Sequence, residues 1–165
     1  MAQKYPYTKK QRSNVLDVAM SAVEARIEGR STYTRGGQVF KLNEPGMCAR
    51  FVRQVFEVGV GLGEGDWPFA SGSAKEMIAK LAEAGYEVNP EALRPGDILG
   101  HTNGKYGHVA VYVGMYYGEK DGRLLVAENT SWTGGMPEKP GTKITRLGVF
   151  LERSKGWRAF RLFAA

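Results

Sequence analysis

The stretch RPGDILGHTNGKYGHVAVYVG, residues 94 to 114, is where the chain changes from helical to extended patterning. Upstream of it, apolar residues recur at the three- and four-residue spacing of amphipathic helices. From Leu93 onward they alternate, or run in short β-branched and aromatic blocks bounded by glycine and proline. RPGDILGH predicts a turn and a strand, and KYGHVAVYVGMYY a second strand. GEKDG reads as a tight turn, RLLVAENTSW as a third strand, KITRLGVFLER as a fourth and GWRAFRLF as a fifth. Strands joined by short turns pair antiparallel, so the second half predicts a five-stranded antiparallel sheet.

Working back from that sheet, Ser13 to Glu28 reads as a helix with Leu16, Ala19, Met20, Val23 and Ile27 on one face and Gly29 as its stop. STYTRGGQVFKLNEPG is loop-like apart from a short extended piece at Gln38 to Leu42. A second helix opens at Cys48. Its stripe of Cys48, Phe51, Val52, Val55 and Phe56 follows the i, i+3, i+4, i+7, i+8 rule of a core-facing helix. GVGLGEGDWPFASG then reads as a flexible surface loop bordering a cleft, since its glycines lack the spacing and the Lys-Ser/Thr of a phosphate loop. Ser73 and Glu76 form an S-x-x-E capping box that starts a third helix, which runs to Gly85. The fold class is therefore α+β, with N-terminal helices packed on the sheet. The chain reads as one domain over 1–165, with a helical part at about 8–86 and a sheet part at about 93–163.

Composition limits the function. With 165 residues, 42% of them apolar, the chain has enough material for one core. A single cysteine excludes an internal disulfide and leaves a free thiol. The N-terminus MAQKYPYTKKQRSNVLD has no apolar signal region and no run is long enough to span a membrane, so the expectation is cytoplasmic synthesis without a signal peptide. A net charge of +6 favours negatively charged partners.

The single thiol is the first candidate for chemistry. An ordinary thiol has a pKa of about 8.5 and is a few per cent thiolate near neutrality, so a nucleophilic cysteine needs help. A helix N-terminus and a neighbouring imidazole both supply it. Cys48 has the first. For the second the chain has two histidines, His101 in the HTNGKYG loop and His108 at the start of the GHVAVYVG strand. A general base must be held within about 3 Å of the proton it takes, which makes the strand the better platform and His108 the expected base. On the next strand Glu128 and Asn129 stand in an apolar run. Alternation allows one of them to face His108. Glu128 is the expected orienter of the imidazole, with Asn129 either replacing it or adding a nearby hydrogen bond. One cysteine and two histidines six apart lack the anchor of a zinc site, and no G-x-S-x-G elbow supports serine catalysis. No metal or organic cofactor is expected.

At these residues the chain resembles a known group. CARFVRQVFE opening a helix, LRPGDILGH, GHVAVYVG and AENTSW are similar to the blocks of the CHAP and NlpC/P60 peptidases, papain-like cysteine enzymes that cut peptidoglycan, over roughly residues 44 to 132. The resemblance implies a papain-like domain with Cys48 as nucleophile, His108 as base and Glu128 with Asn129 at the acidic and amide positions. The run at the nucleophile is Gly46-Met47-Cys48-Ala49, where the NlpC/P60 branch shows Asp-Cys-Ser-Gly. The Cys48 backbone N–H is the expected oxyanion donor, with Asn43 as a helper. The implied reaction is hydrolysis of a peptide or amide bond of bacterial peptidoglycan by a monomer. The wall would be reached after release, by injection or in a virion, as for a phage lysin. The competing expectation is a non-catalytic module on the same scaffold that binds wall or another polyanion through Arg50, Arg53, Lys105, Arg158 and Arg161. Nucleic acid is not an expected partner, because no recognition motif or aromatic-basic interleaving is present.

Overall fold

In the computed structural model, which describes residues 5–115 and 123–164, both halves meet on one antiparallel sheet. Helix α1 spans Lys9–Ile27, four residues earlier than the pattern predicts. Its start is set by a capping box: Thr8 Oγ1 accepts the Gln11 N–H at 3.2 Å and Gln11 Oε1 accepts the Thr8 N–H at 2.9 Å. Its buried face runs through Val15, Val18, Ala22 and Arg26, and Ile27, expected in the core, is 47% exposed. The face is turned by Arg26, whose guanidinium is drawn in to donate to the carbonyls of Pro140 (2.6 Å) and Thr142 (2.9 Å).

The segment expected to be mostly loop forms a hairpin of β1 (Thr32–Arg35) and β2 (Gln38–Lys41). Gly36 and Gly37 form its two-residue turn with φ of 60° and 75°, a backbone that glycine adopts without strain. Helix α2 spans Cys48–Val60 and ends on Gly61 in the left-handed conformation, φ 86°. The glycine-rich connection is less loose than expected. Gly59 lies inside α2, and a Cβ there would stand 2.5 Å from Val15 Cγ2, so its missing side chain lets α1 and α2 touch. Trp67, 2% exposed, stacks on Phe56. Helix α3, Ala74–Glu83, starts where the Ser73 hydroxyl accepts the Glu76 N–H at 3.3 Å.

The main sheet has six strands rather than five. They are β3 (Glu87–Val88), β4 (Ile98–His101), β5 (His108–Gly114), β6 (Leu125–Thr130), β7 (Gly141–Arg146) and β8 (Arg158–Phe160), in the order β3-β8-β4-β5-β6-β7. All pairs are antiparallel. Hairpin succession holds for β4 through β7. The last strand instead crosses back to lie between β3 and β4. The expected GEKDG turn, with Tyr116 and Tyr117 before it, lies outside the described residues. The run read as one strand, KITRLGVFLER, is a strand and then a helix: α4 spans Leu147–Arg153 and buries Phe150. A helix thus lies within the expected sheet part and a hairpin within the helical part.

The sheet is covered on both faces. Helices α1, α2 and α3 pack against the side lined by Val109, Val111, Val113, Leu125 and Ala127. The other side, Leu99, Ala110, Tyr112, Val126 and Ala159, is closed by Phe150 and the neighbouring Leu147 and Leu151. Burial of both faces explains why β5 reads as a near-continuous apolar run. No helix among the described residues is long and apolar enough to cross a membrane.

Candidate functional site

Cys48 is the first residue of α2 and packs at the edge of the helix-side core. His108 has the parity of Ala110 and Tyr112, so its side chain belongs to the opposite face of the sheet. The two meet at the end of the strand, where His108 is the first residue of β5 and the Val109 N–H also faces the sulfur. His108 Nε2 lies 2.7 Å from Glu128 Oε1. Its second nitrogen, Nδ1, is left for the hydrogen bond to Cys48. Glu128, 0% exposed, sits on the same face of β6, and its Oε2 accepts from Arg153 Nη2 at 2.7 Å. The arginine lies at the end of α4, stacked on the Trp132 ring at 4.1 Å. Thiol, imidazole, carboxylate and guanidinium thus form one line of alternating charge.

The electrostatics follow from that line. Burial pushes the Cys48 thiol up, but the hydrogen bond and charge of His108, with the N–H groups of Val109 and Ala49, outweigh it and leave the thiol below its ordinary value. Burial pulls His108 down, and its bonds to Cys48 and Glu128 reverse this, raising it to about 9. Burial raises Glu128, while His108 and the charge of Arg153 bring it below the ordinary carboxylate range. The arrangement therefore favours a thiolate beside an imidazolium over the neutral pair.

Asn129 does a different job from the one expected beside the imidazole. Its Oδ1 accepts the Met47 N–H at 2.9 Å, and its Nδ2 donates to the Glu44 carbonyl at 2.8 Å and to Thr142 Oγ1 at 3.3 Å. The amide therefore pins the turn that delivers Cys48, on the sheet face away from Glu128. His101 closes β4 instead of lying in a loop. It pairs across from His108 with ring centroids 6.0 Å apart, and its Nδ1 accepts the Asn103 N–H at 3.2 Å. Burial and the charge of His108 lower its pKa, and it does not line the cleft. Asn43 is exposed and also outside the cleft.

The cleft over the sulfur has a volume of about 770 Å³. One wall comes from the start of α2, another from Ser71 to Ala74, and a third from Tyr106, Gly107 and the end of β6. Of the basic residues expected to bind a polyanion, three are engaged internally. Arg53 donates to Glu57 at 2.6 Å, Arg158 to Glu87 at 2.6 Å, and Arg161, 8% exposed, to Asp97 at 2.8 Å. This weakens the case for a cationic docking face. Arg153 is absent from the residues the sequence singles out, because LGVFLER reads there as strand. The helical spacing of Leu147, Phe150 and Leu151 is the signal that places it.

A family model described as "CHAP domain" matches residues 40–130, more than half of the chain. The matched span runs from β2 through β6 and includes Cys48, His108, Glu128 and Asn129, while α4 with Arg153 lies beyond it. No curated protein matches the chain.

Proposed function

Since the chain belongs to the CHAP domain family, a family of papain-like peptidoglycan hydrolase domains, we propose that it hydrolyses an amide bond of bacterial peptidoglycan through an acyl-enzyme on Cys48. The observation that carries this reading is the single thiol at the N-terminus of α2, hydrogen-bonded to His108, which is itself bonded to Glu128.

In this reaction the Cys48 thiolate attacks the amide carbonyl carbon, forming the C–S bond and placing a negative charge on the carbonyl oxygen. We assign that oxygen to the Cys48 backbone N–H, at the positive end of α2. The Met47 N–H is already taken by Asn129. The His108 imidazolium gives its proton to the leaving nitrogen, the C–N bond breaks, and a thioester and an amine result. His108, now neutral, takes a proton from water, whose oxygen attacks the thioester; the C–S bond breaks and a carboxylic acid leaves. Glu128 holds the ring orientation and stabilises the imidazolium in both steps. Arg153 and the stacked Trp132 keep Glu128 ionised and in place.

The net charge of +6 suits an anionic wall, and lysis from within or during entry, as by a phage lysin, fits such an activity. We place the site of action at the wall, reached by release, injection or carriage in a virion. Purified walls incubated with the wild type and with Cys48→Ala test the reading. Muropeptides freed by the wild type alone support it, and equal release by both proteins overturns it. Mass spectrometry of the products identifies the bond cut.

A further inference from the structure

Arg50 stands two residues after Cys48, half-buried, in the wall of the cleft. Among the described residues its Nε is buried without a hydrogen-bond partner, and no hydrogen bond or ion pair engages its guanidinium. Several other arginines have an acceptor on at least one nitrogen, although the Nε of Arg153 is also buried without a partner. Arg26 has two carbonyls, Arg35 has Asp17, Arg53 has Glu57, and Arg153, Arg158 and Arg161 each have a carboxylate. A guanidinium stays charged at any pH the protein meets, so partial burial without an acceptor has a desolvation cost that an anion would offset. The described lining of the cleft contains no aspartate or glutamate to serve as that anion. Met47, Arg50 and Asn129 border both the cleft and a small cavity beside it, which puts Arg50 at one defined end, next to the turn that presents the thiol.

We propose that Arg50 is a specificity residue that binds a free carboxylate of the substrate close to the scissile amide, so that the enzyme selects peptides carrying that carboxylate over the same peptides carrying a primary carboxamide. The inference rests on the hydrolase reading for its substrate and deepens it. The planar fork of arginine suits a bidentate bond to carboxylate, and a carboxamide offers it one acceptor and no charge. An Arg53 already bonded to Glu57 is poorly placed to take over the role.

The test uses two muropeptide preparations that differ only in whether the stem carboxylates are free or amidated. Binding is measured on Cys48→Ala with Arg50 intact, with Arg50→Gln and with Arg50→Lys. Cleavage is measured on the proteins that keep Cys48. Preference for the free carboxylate by about tenfold or more is expected with Arg50, as a charge-assisted bond provides. It should fall to near unity with Arg50→Gln and to an intermediate value with Arg50→Lys, at unchanged melting temperature. Equal binding of the two preparations by Cys48→Ala, or a preference that survives Arg50→Gln, overturns the proposal. If neither preparation is cleaved by the wild type while the binding preference stands, the hydrolase reading fails and the carboxylate subsite remains.

Discussion

Asn129 Oδ1 accepts the backbone N–H of Met47 at 2.9 Å, which ties the strand carrying Glu128 to the residue before Cys48. Cys48 and the carboxylate bonded to His108 are therefore held in a common frame by neighbouring positions of β6, one side chain on each face of the sheet. Removing the amide with Asn129→Ala leaves the partly buried Met47 N–H and Glu44 carbonyl, and the buried Thr142 hydroxyl, without their partner. We expect a loss of about 1–3 kcal/mol in stability, read by denaturant titration. We also expect a fall in kcat larger than any change in the alkaline limit of the pH profile, because His108 keeps its own contacts. An unchanged kcat overturns the positioning role.

The paired shifts of Cys48 and His108 define a window. The sulfur is charged above its lowered pKa, and the imidazole is charged below its raised pKa of about 9. The pH profile of kcat/KM should be a bell with its alkaline limb near 9 and its acid limb below the ordinary thiol value. The part of the stability that His108 contributes is full below its unfolded value of 6.5 and is lost as pH rises through about 9. Iodoacetamide should modify Cys48 at pH 6 faster than a free thiol, and His108→Gln should abolish that excess. A rate at pH 6 equal to that of free cysteine excludes the ion pair.

Replacing the acid by its amide isolates the charge of Glu128. Glu128→Gln keeps a side chain of the same shape but removes the carboxylate that raises His108. A fall in kcat of about 10²–10⁴-fold is expected, together with a downward move of the alkaline limb toward 6.5. An alkaline limb still near 9 in this variant sinks the assignment.

Arg153 is bonded to Glu128 and does not line the cleft, so we expect it to act through Glu128. Arg153→Met preserves the stacking bulk against Trp132 while leaving Glu128 Oε2 without its cation. Because the arginine is 24% exposed, the cost should be about 2 kcal/mol, below that of a fully buried pair. The Glu128 pKa should rise, so the variant loses stability at a higher pH than the wild type as acid is added. Acid titrations of the two proteins that superimpose would remove Arg153 from the charge line.

These elements differ in how far the sequence revealed them. The stripe of Phe51, Val52, Val55 and Phe56 reports burial directly, and α2 lies where that stripe predicts. The strand opening at His108 is equally plain, because apolar residues run unbroken from Val109 to Val113. The hairpin of β1 and β2 carried a signal, the Gly36-Gly37 pair, that was outweighed by the polar residues around it. Parity limited Glu128 and Asn129 to opposite faces. Only the register of β6 against β5, a long-range property, decides which of them meets His108. The placement of β8 between β3 and β4 is likewise a pairing between distant segments that no local pattern encodes.

The position of β8 also bears on how the protein is made. Arg158–Phe160 fills the gap between β3 and β4, and just beyond it Phe163 forms a separate bridge with Tyr7, before α1. A ribosome delivers β8 after the other five strands of the sheet. The sheet therefore stays open between β3 and β4 until translation has passed Phe160.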